Sequence, residues 1–203
     1  MHIEVIITFF LSSVALTLSP GPDIIYVISQ SFNRGKRAAI VTSLGLTTGL
    51  LFHTFFVVIG LSVLLSKNQN LFFLIKLMGS LYFIYLAFKV FINRNNKTKI
   101  ESNKAENVNF FKTGLLMNLL NPKVSLFFIA LFPGFIFHDN LSSQIQFLVL
   151  GLIFWIQANL IFITVSVFSN KLKGHFLNES FFSKNGFVIE ICIYIFISIW
   201  ILK

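Results

Sequence analysis

The stretch LSPGPDIIYV, residues 18–27, places two prolines and a glycine inside an apolar segment and follows them directly with an acid. Proline removes a backbone N–H and breaks a helix, and carboxylates avoid lipid. Non-helical backbone at membrane depth is tolerated only where it faces protein or a water-filled cavity. The stretch therefore predicts one of two things. It is either an interrupted membrane helix beside a polar site, or a helix that ends at the membrane interface and continues as a surface helix.

The rest of the chain has the composition of an integral membrane protein. Its 203 residues are 56% hydrophobic and 11% charged, with a mean hydropathy of +0.83, whereas soluble domains carry about 25% charged residues. A membrane helix needs about 20 mainly apolar residues. Six runs meet this need, which predicts an all-α membrane protein in a lipid bilayer: Ile3 to Phe32, Ala38 to Ser66, Leu71 to Ile92, Phe110 to Phe137, Ser143 to Ser169 and Phe187 to Leu202.

The net charge of +9 is explained by topology and does not require a nucleic-acid partner, because no solvated domain is long enough to bind one. Short cytoplasmic loops collect Lys and Arg. The loops after the first, third and fifth runs hold most of these residues, and the opposite side holds only Lys67 and Lys203. We therefore expect both termini to lie outside the cytoplasm. The basic residues of the three loops are Arg34, Lys36, Arg37, Arg94, Lys97, Lys99, Lys104, Lys112, Lys171, Lys173 and Lys184.

The chain divides into two similar halves. Residues 1–203 form one transmembrane domain, with repeat one at about 1–95, repeat two at about 108–203, and a polar cytoplasmic linker, 93–109. Each half opens with an over-long run broken by proline, and an offset of 102 residues superposes Ser19-Pro20 on Asn121-Pro122. Halves with three spans each must lie in opposite orientations. The sequence therefore predicts two inverted three-helix repeats, in which helices 1 and 4 are interrupted.

Length supports a true interruption of the first helix. Ile3 to Phe32 is 30 residues, or about 45 Å as one helix against a bilayer core of about 30 Å. Paired broken helices in matching positions of two halves are the best sequence indicator of a transporter's binding site. We therefore expect the substrate or ion path at two groups of residues: Pro20, Gly21, Pro22 and Asp23 in the first half, and Asn118, Asn121, Pro122 and Lys123 in the second.

Two charged residues stand at these breaks. Asp23 can carry a proton or attract a substrate ammonium, or it can simply cap the helix that follows Pro22. Lys123 opposes the dipole of its own helix and needs an anion, either Asp23 or a substrate carboxylate, unless it extends to the membrane interface. Asn118 and Asn121 share one helical face and can bind freed backbone groups or a ligand.

Other features indicate packing. Gly45 and Gly49 form a small-xxx-small face that suits helix packing within the chain or a homodimer. Gln157, Asn159 and Thr164 suggest hydrogen bonds between helices, and His53 suggests a packed residue. The sequence has no catalytic triad order, HExxH, Walker loop or metal-ligand spacing, so no enzyme, cofactor or metal site is expected.

Three segments resemble the LysE/RhtB amino-acid exporters: residues 19–53, 75–91 and 114–135, with the paired motifs SPGPD and NLLNPK. The family signature falls on the eight residues at the breaks and on Arg37, Gly45 and Gly49. Ala39, Ser80 and Gly134 depart from it. The resemblance implies a bacterial inner-membrane protein that exports amino acids or related small zwitterions, in exchange for protons. The alternatives are a structural or regulatory membrane subunit and, with less support, an intramembrane enzyme.

Overall fold

The computed structural model describes residues 2–19, 21–61, 69–93, 109–171 and 186–202, and every regular element in these ranges is helical. The predicted all-α class is therefore confirmed for this part of the chain. Pro20 and most of the predicted linker lie outside it. The helices are α1 (Ile3–Leu18), α2 (Pro22–Arg34), α3 (Lys36–Phe56), α4 (Gln69–Asn93), α5 (Phe110–Leu119), α6 (Pro122–Leu126), α7 (Ser143–Lys171) and α8 (Gly186–Leu202).

Both predicted interruptions are present. The axes of α1 and α2 differ by 53°, and those of Phe110–Leu119 and Pro122–Phe135 differ by 48°. Pro22 and Pro122 each begin the helix after the break, a position where the missing N–H costs no intrahelical bond. A π-helical segment, Phe127–Leu131, and a 3-10 turn, Phe132–Phe135, continue from α6.

The helices differ in their capacity to cross a membrane. Two helices are long and apolar enough to cross a membrane alone, namely Lys36–Gly60 and Ser143–Ser169. If each bent helix pair is counted as one span, the described ranges contain up to four spans. Helix α4 has 25 residues and packs along the apolar helix α8. The described helices therefore support the membrane class, with two to four candidate spans among them.

Polar and apolar side chains are arranged as in a membrane protein. Large apolar side chains are exposed on the outer faces of the helices, among them Phe55 on α3, Met78 on α4 and Leu160 on α7. Hydroxyl and amide side chains lie inside, including Ser31, Ser43 and Ser166, of which Ser43 and Ser166 hydrogen-bond at 2.9 Å. A surface of this kind suits lipid, because contiguous apolar patches of this extent are rare on soluble monomers.

An aromatic cluster joins the two halves at the second break. Phe9 of α1 lies with its ring centroid 5.2 Å from those of both Phe132 and Phe135. Phe154 of α7 lies 5.2 Å from Phe127 and stacks on Phe128 at 5.3 Å. Edge-to-face and stacked aromatic pairs each stabilise by about 0.5–1.5 kcal/mol beyond the area they bury. The cluster therefore fixes the segment after the second break against α1 and α7.

Helices α3 and α5 approach so closely that their backbones touch. A Cβ atom added to Gly45 would collide with the carbonyl oxygen of Phe111, and one added to Gly114 would collide with the carbonyl oxygen of Thr42. The two glycines therefore serve the same contact from opposite sides. Gly45 of the predicted small-xxx-small face packs within the chain, and the homodimer stays a prediction.

Candidate functional site

A cavity lies where the two breaks meet. The space free of protein atoms is about 380 Å³, counting its opening to the surface. Five residues predicted for the substrate or ion path line it: Gly21, Asp23, Asn118, Asn121 and Lys123. The two described prolines of that set, Pro22 and Pro122, begin the helices that carry Asp23 and Lys123 but do not line the cavity. The breaks of two segments about 100 residues apart in sequence are thus brought together.

Asp23 faces the opposite half of the protein. Its Oδ2 accepts a hydrogen bond of 2.8 Å from Nδ2 of Asn121. Its Oδ1 is shielded from solvent and accepts no hydrogen bond. Asp23 lies in the first turn of α2, where the helix dipole favours its negative charge, but no side chain makes a capping hydrogen bond at the start of that helix. A shielded carboxylate oxygen without a donor is costly to retain, which marks it as a position for a proton or a ligand.

Asn121 connects the two breaks through both ends of its amide. The oxygen Oδ1 accepts from the backbone N–H of Lys123 at 3.0 Å and so caps α6, while the nitrogen donates to Asp23. Because α6 is already capped by its own chain, its N-terminus does not need a substrate carboxylate. The structural role predicted for this asparagine is therefore present, together with a direct link to the acid.

Lys123 points toward the first break. Its side chain is 8% exposed, and Nζ donates to the carbonyl oxygen of Ser19 at 3.2 Å. Nζ also lies 5.6 Å from the ring centroid of Tyr194. Lys123 therefore points into the protein and does not extend along its outer surface. The ammonium group instead stabilises backbone at the point where α1 has ended.

Asn118 is the most deeply buried polar residue of the site. It is 1% exposed, and its Oδ1 has no hydrogen-bond partner. A Cβ atom added to Gly49 would overlap the Asn118 side chain, so that glycine makes room for the amide. The backbone carbonyl of Asn118 lies 3.3 Å from Nε2 of His53, which stacks on Phe128. His53 is thus packed, as predicted, directly behind the site.

Several residues that line the cavity were not predicted from the sequence. Thr17, Phe154, Ala158 and Phe162 line the cavity without belonging to either motif. Tyr194 supports it from α8 by accepting a hydrogen bond of 3.0 Å from Ser19 Oγ. Single apolar residues in long apolar helices carry no local signal. Helix periodicity could place them on an inward face only after the packing of the helices is known.

Hydrogen bonds to other helices were predicted for three polar residues of α7, and two of them make such bonds. Gln157 donates to Thr17 Oγ1 at 3.1 Å, and Asn159 accepts from Thr47 at 3.0 Å. Thr164 is exposed instead. Within the described ranges, no group of three or more His, Cys, Asp or Glu side chains is arranged to hold a metal ion.

Comparisons with known proteins identify related membrane proteins. The model of the LysE type translocator family matches residues 14–198. An uncharacterized membrane protein of Bacillus subtilis, YrhP, is 32% identical over 178 residues, covering 82% of this chain and 83% of that protein. A homoserine/homoserine lactone efflux protein of Salmonella typhimurium is 34% identical over 148 residues, covering 70% and 69%. No solved structure matches the chain.

The family match extends from α1 to α8 and includes both breaks and the cavity between them. Four of the motif residues that line the cavity, Asp23, Asn118, Asn121 and Lys123, contribute polar side chains to it. The chain therefore belongs to the LysE type translocator family.

Proposed function

We propose that the protein exports small amino compounds, chiefly amino acids, from the bacterial cytoplasm across the inner membrane in exchange for protons. The observation that carries this proposal is the cavity at the paired breaks, which contains one carboxylate with a shielded, unpartnered oxygen. Transporter sites are typically built from broken helices of two repeats that meet near the bilayer midplane.

Exchange follows from competition for Asp23. A proton and a substrate ammonium both neutralise the same carboxylate, so the two cannot bind it together. Substrate that binds on the inside is then released on the outside when Asp23 takes up a proton. The other ionisable groups around this site are Lys123 beside the first break, Tyr194 beyond it and His53 behind Asn118.

The proposed topology has six spans in two inverted repeats, at about 1–95 and 108–203. Equivalent helices of the two halves pack on each other, α3 against α7 and α4 against α8, which is consistent with a twofold relation. The distribution of Lys and Arg supports termini outside the cytoplasm. In this arrangement the breaks lie at membrane depth, and each bent helix pair crosses the membrane once.

The substrate class is supported by relatives. The Salmonella protein is named for efflux of homoserine and homoserine lactone, two compounds that share an amino group although the lactone has no free carboxylate. We propose a substrate of this size and polarity for the present chain. Membership of a translocator family makes the protein a transporter and not an enzyme. It also leaves the regulatory-subunit alternative without a supporting observation.

The test is transport by purified protein in liposomes. An acid interior should drive accumulation of labelled homoserine or another amino acid from a panel, whichever way the protein is inserted. We expect Asp23→Asn to reduce gradient-driven accumulation by about ten- to a hundredfold, because a charge-assisted hydrogen bond contributes about 1.5–3 kcal/mol.

The matched control is Asp139→Asn, because Asp139 is an exposed acid remote from the cavity. This variant should transport normally. Unchanged accumulation and unchanged dependence on the pH gradient in Asp23→Asn would remove Asp23 from the coupling mechanism.

A further inference from the structure

We propose that the cavity recognises its substrate by a primary ammonium group and has no requirement for the substrate carboxylate, with Asn118 as the second ammonium ligand beside Asp23. The inference rests on the proposed function, because it concerns the cavity through which the amino compound passes. It names Asn118 as a residue that determines specificity, and it names the amino group as the part of the substrate that is recognised.

Two shielded acceptors at the breaks are left without a donor. Asp23 Oδ1 comes from the first break and Asn118 Oδ1 from the segment before the second. Both residues line the same cavity. Buried polar atoms are nearly always hydrogen-bonded, and exceptions call for an explanation such as a ligand site. A primary ammonium has three N–H donors and no acceptor, so it suits a pair of acceptors of this kind.

Three side chains that line the cavity direct a donor to an acceptor of the protein itself. Asn121 Nδ2 donates to Asp23, Lys123 Nζ to the carbonyl of Ser19, and Thr17 Oγ1 to the carbonyl of Ser13. Most of the remaining wall is apolar, with Leu50, Phe154 and Phe162 among its members. A bound ammonium would supply the donors that Asp23 Oδ1 and Asn118 Oδ1 lack without displacing any of those bonds. The two unpartnered acceptors thus favour the amino end of a substrate.

Gly49 supports the position of Asn118. Its missing side chain leaves the space that the Asn118 amide occupies, and the amide is 1% exposed. Asn118 therefore presents its oxygen from a fixed position, which is what discrimination between a free and a blocked amine requires. A site built to hydrogen-bond an N–H group rejects analogues that lack it strongly, because its buried polar groups are then left unpaired.

The experiment compares three competitors of labelled homoserine uptake into liposomes that contain the full-length protein. They are homoserine, homoserine lactone, which has no free carboxylate, and N-acetylhomoserine, which has no ammonium. We expect the lactone to compete within about threefold of homoserine and the acetylated compound to be weaker by at least about thirtyfold. The reverse order, or equal competition by N-acetylhomoserine, would overturn the inference.

Variants test the role of Asn118. Asn118→Leu removes the acceptor at similar size and should weaken competition by homoserine about tenfold, with little effect on N-acetylhomoserine. Asn118→Asp restores an acceptor and should restore selectivity for the free amine. The exposed Asn140 provides the control, because Asn140→Leu should leave all three affinities unchanged. Equal losses for the free and acetylated compounds in Asn118→Leu would reduce Asn118 to a packing residue and contradict its assignment.

A binding measurement separates this inference from the transport proposal. Ethanolamine should raise the melting temperature of the purified wild-type protein, whereas glycolate at the same concentration should not. Failure of transport for every amino acid of the panel, together with stabilisation by ethanolamine, would contradict the proposed function and retain the ammonium site. Stabilisation by glycolate alone would overturn the ammonium site whatever the transport result.

Discussion

At the scale of single residues, the site is a short chain of polar contacts between two backbone breaks. Asn121 links Asp23 to the start of α6, and Lys123 links that same helix start to the carbonyl of Ser19. A change in any of these side chains therefore alters the surroundings of the others. Water is largely excluded here, so charges are screened less than in an exposed ion pair, which contributes about 0–1 kcal/mol.

This connection predicts that Asp23 and Lys123 are energetically coupled. We expect Asp23→Ala and Lys123→Ala each to impair substrate binding. In the double variant the effects should depart from additivity by about 0.5–3 kcal/mol, as is usual for residues in one network. The measurement is a double-mutant cycle on substrate affinity in detergent.

The exposed Lys112 in the first turn of α5 supplies the control, because Lys112→Ala should combine additively with Asp23→Ala. Strictly additive losses for the Asp23 and Lys123 pair would mean that the two charges do not share one site.

At the scale of helices, two glycines one turn apart on α3 have different neighbours. Gly45 faces the backbone of α5, whereas Gly49 faces the side chain of Asn118. The same substitution should therefore have two different consequences. A methyl group at Gly45 would collide with backbone, whereas one at Gly49 would overlap the Asn118 side chain and displace its amide.

We expect Gly45→Ala to lower the melting temperature, because overpacking a tight contact costs about 1–3 kcal/mol. Gly49→Ala should instead weaken substrate affinity about tenfold, by displacing Asn118, with a smaller change in melting temperature. Thermal unfolding and competition assays on both variants check this division.

Gly60 is the control, since a Cβ atom there would meet nothing within 4 Å. Gly60→Ala should match the wild type in both assays. A Gly49→Ala protein with normal affinity would show that Gly49 does not set the position of the Asn118 amide.

The helices were largely predictable from sequence, whereas the contacts of the site were not. Apolar runs gave the positions of the helices to within a few residues at most ends, and the prolines at 22 and 122 located both breaks, because these signals are local. The bond from Lys123 to the Ser19 carbonyl and the approach of Tyr194 depend on packing between distant segments. The π-helical segment Phe127–Leu131 also has no local sequence signal.

At the scale of the whole molecule, orientation in the membrane is the prediction with the widest consequences. Both termini should lie outside the cytoplasm, and the loops around Arg34, Asn103 and Lys173 should lie inside, because they hold most of the Lys and Arg. Of these loops, those at Asn103 and Lys173 fall outside the described residues. With Cys192 replaced, cysteines introduced in the three loops should resist a membrane-impermeant thiol reagent in intact cells.

The same experiment needs an outside position as its reference. Asn140 is exposed in the connection between the second break and α7, so Asn140→Cys should label readily. Labelling at all three basic loops, together with no labelling of Asn140→Cys, would reverse the proposed orientation.

The presence of both Asp23 and Lys123 at one cavity has an electrical consequence. When both are ionised their charges cancel, and a bound zwitterion adds none, so on the proposed mechanism the loaded carrier moves outward without carrying charge. The protonated carrier returns with one positive charge. An inside-negative membrane potential assists that step by up to about 2.3 kcal/mol per 100 mV, if the charge crosses the full field. Each exported amino acid is then driven by voltage as well as by the proton concentration gradient.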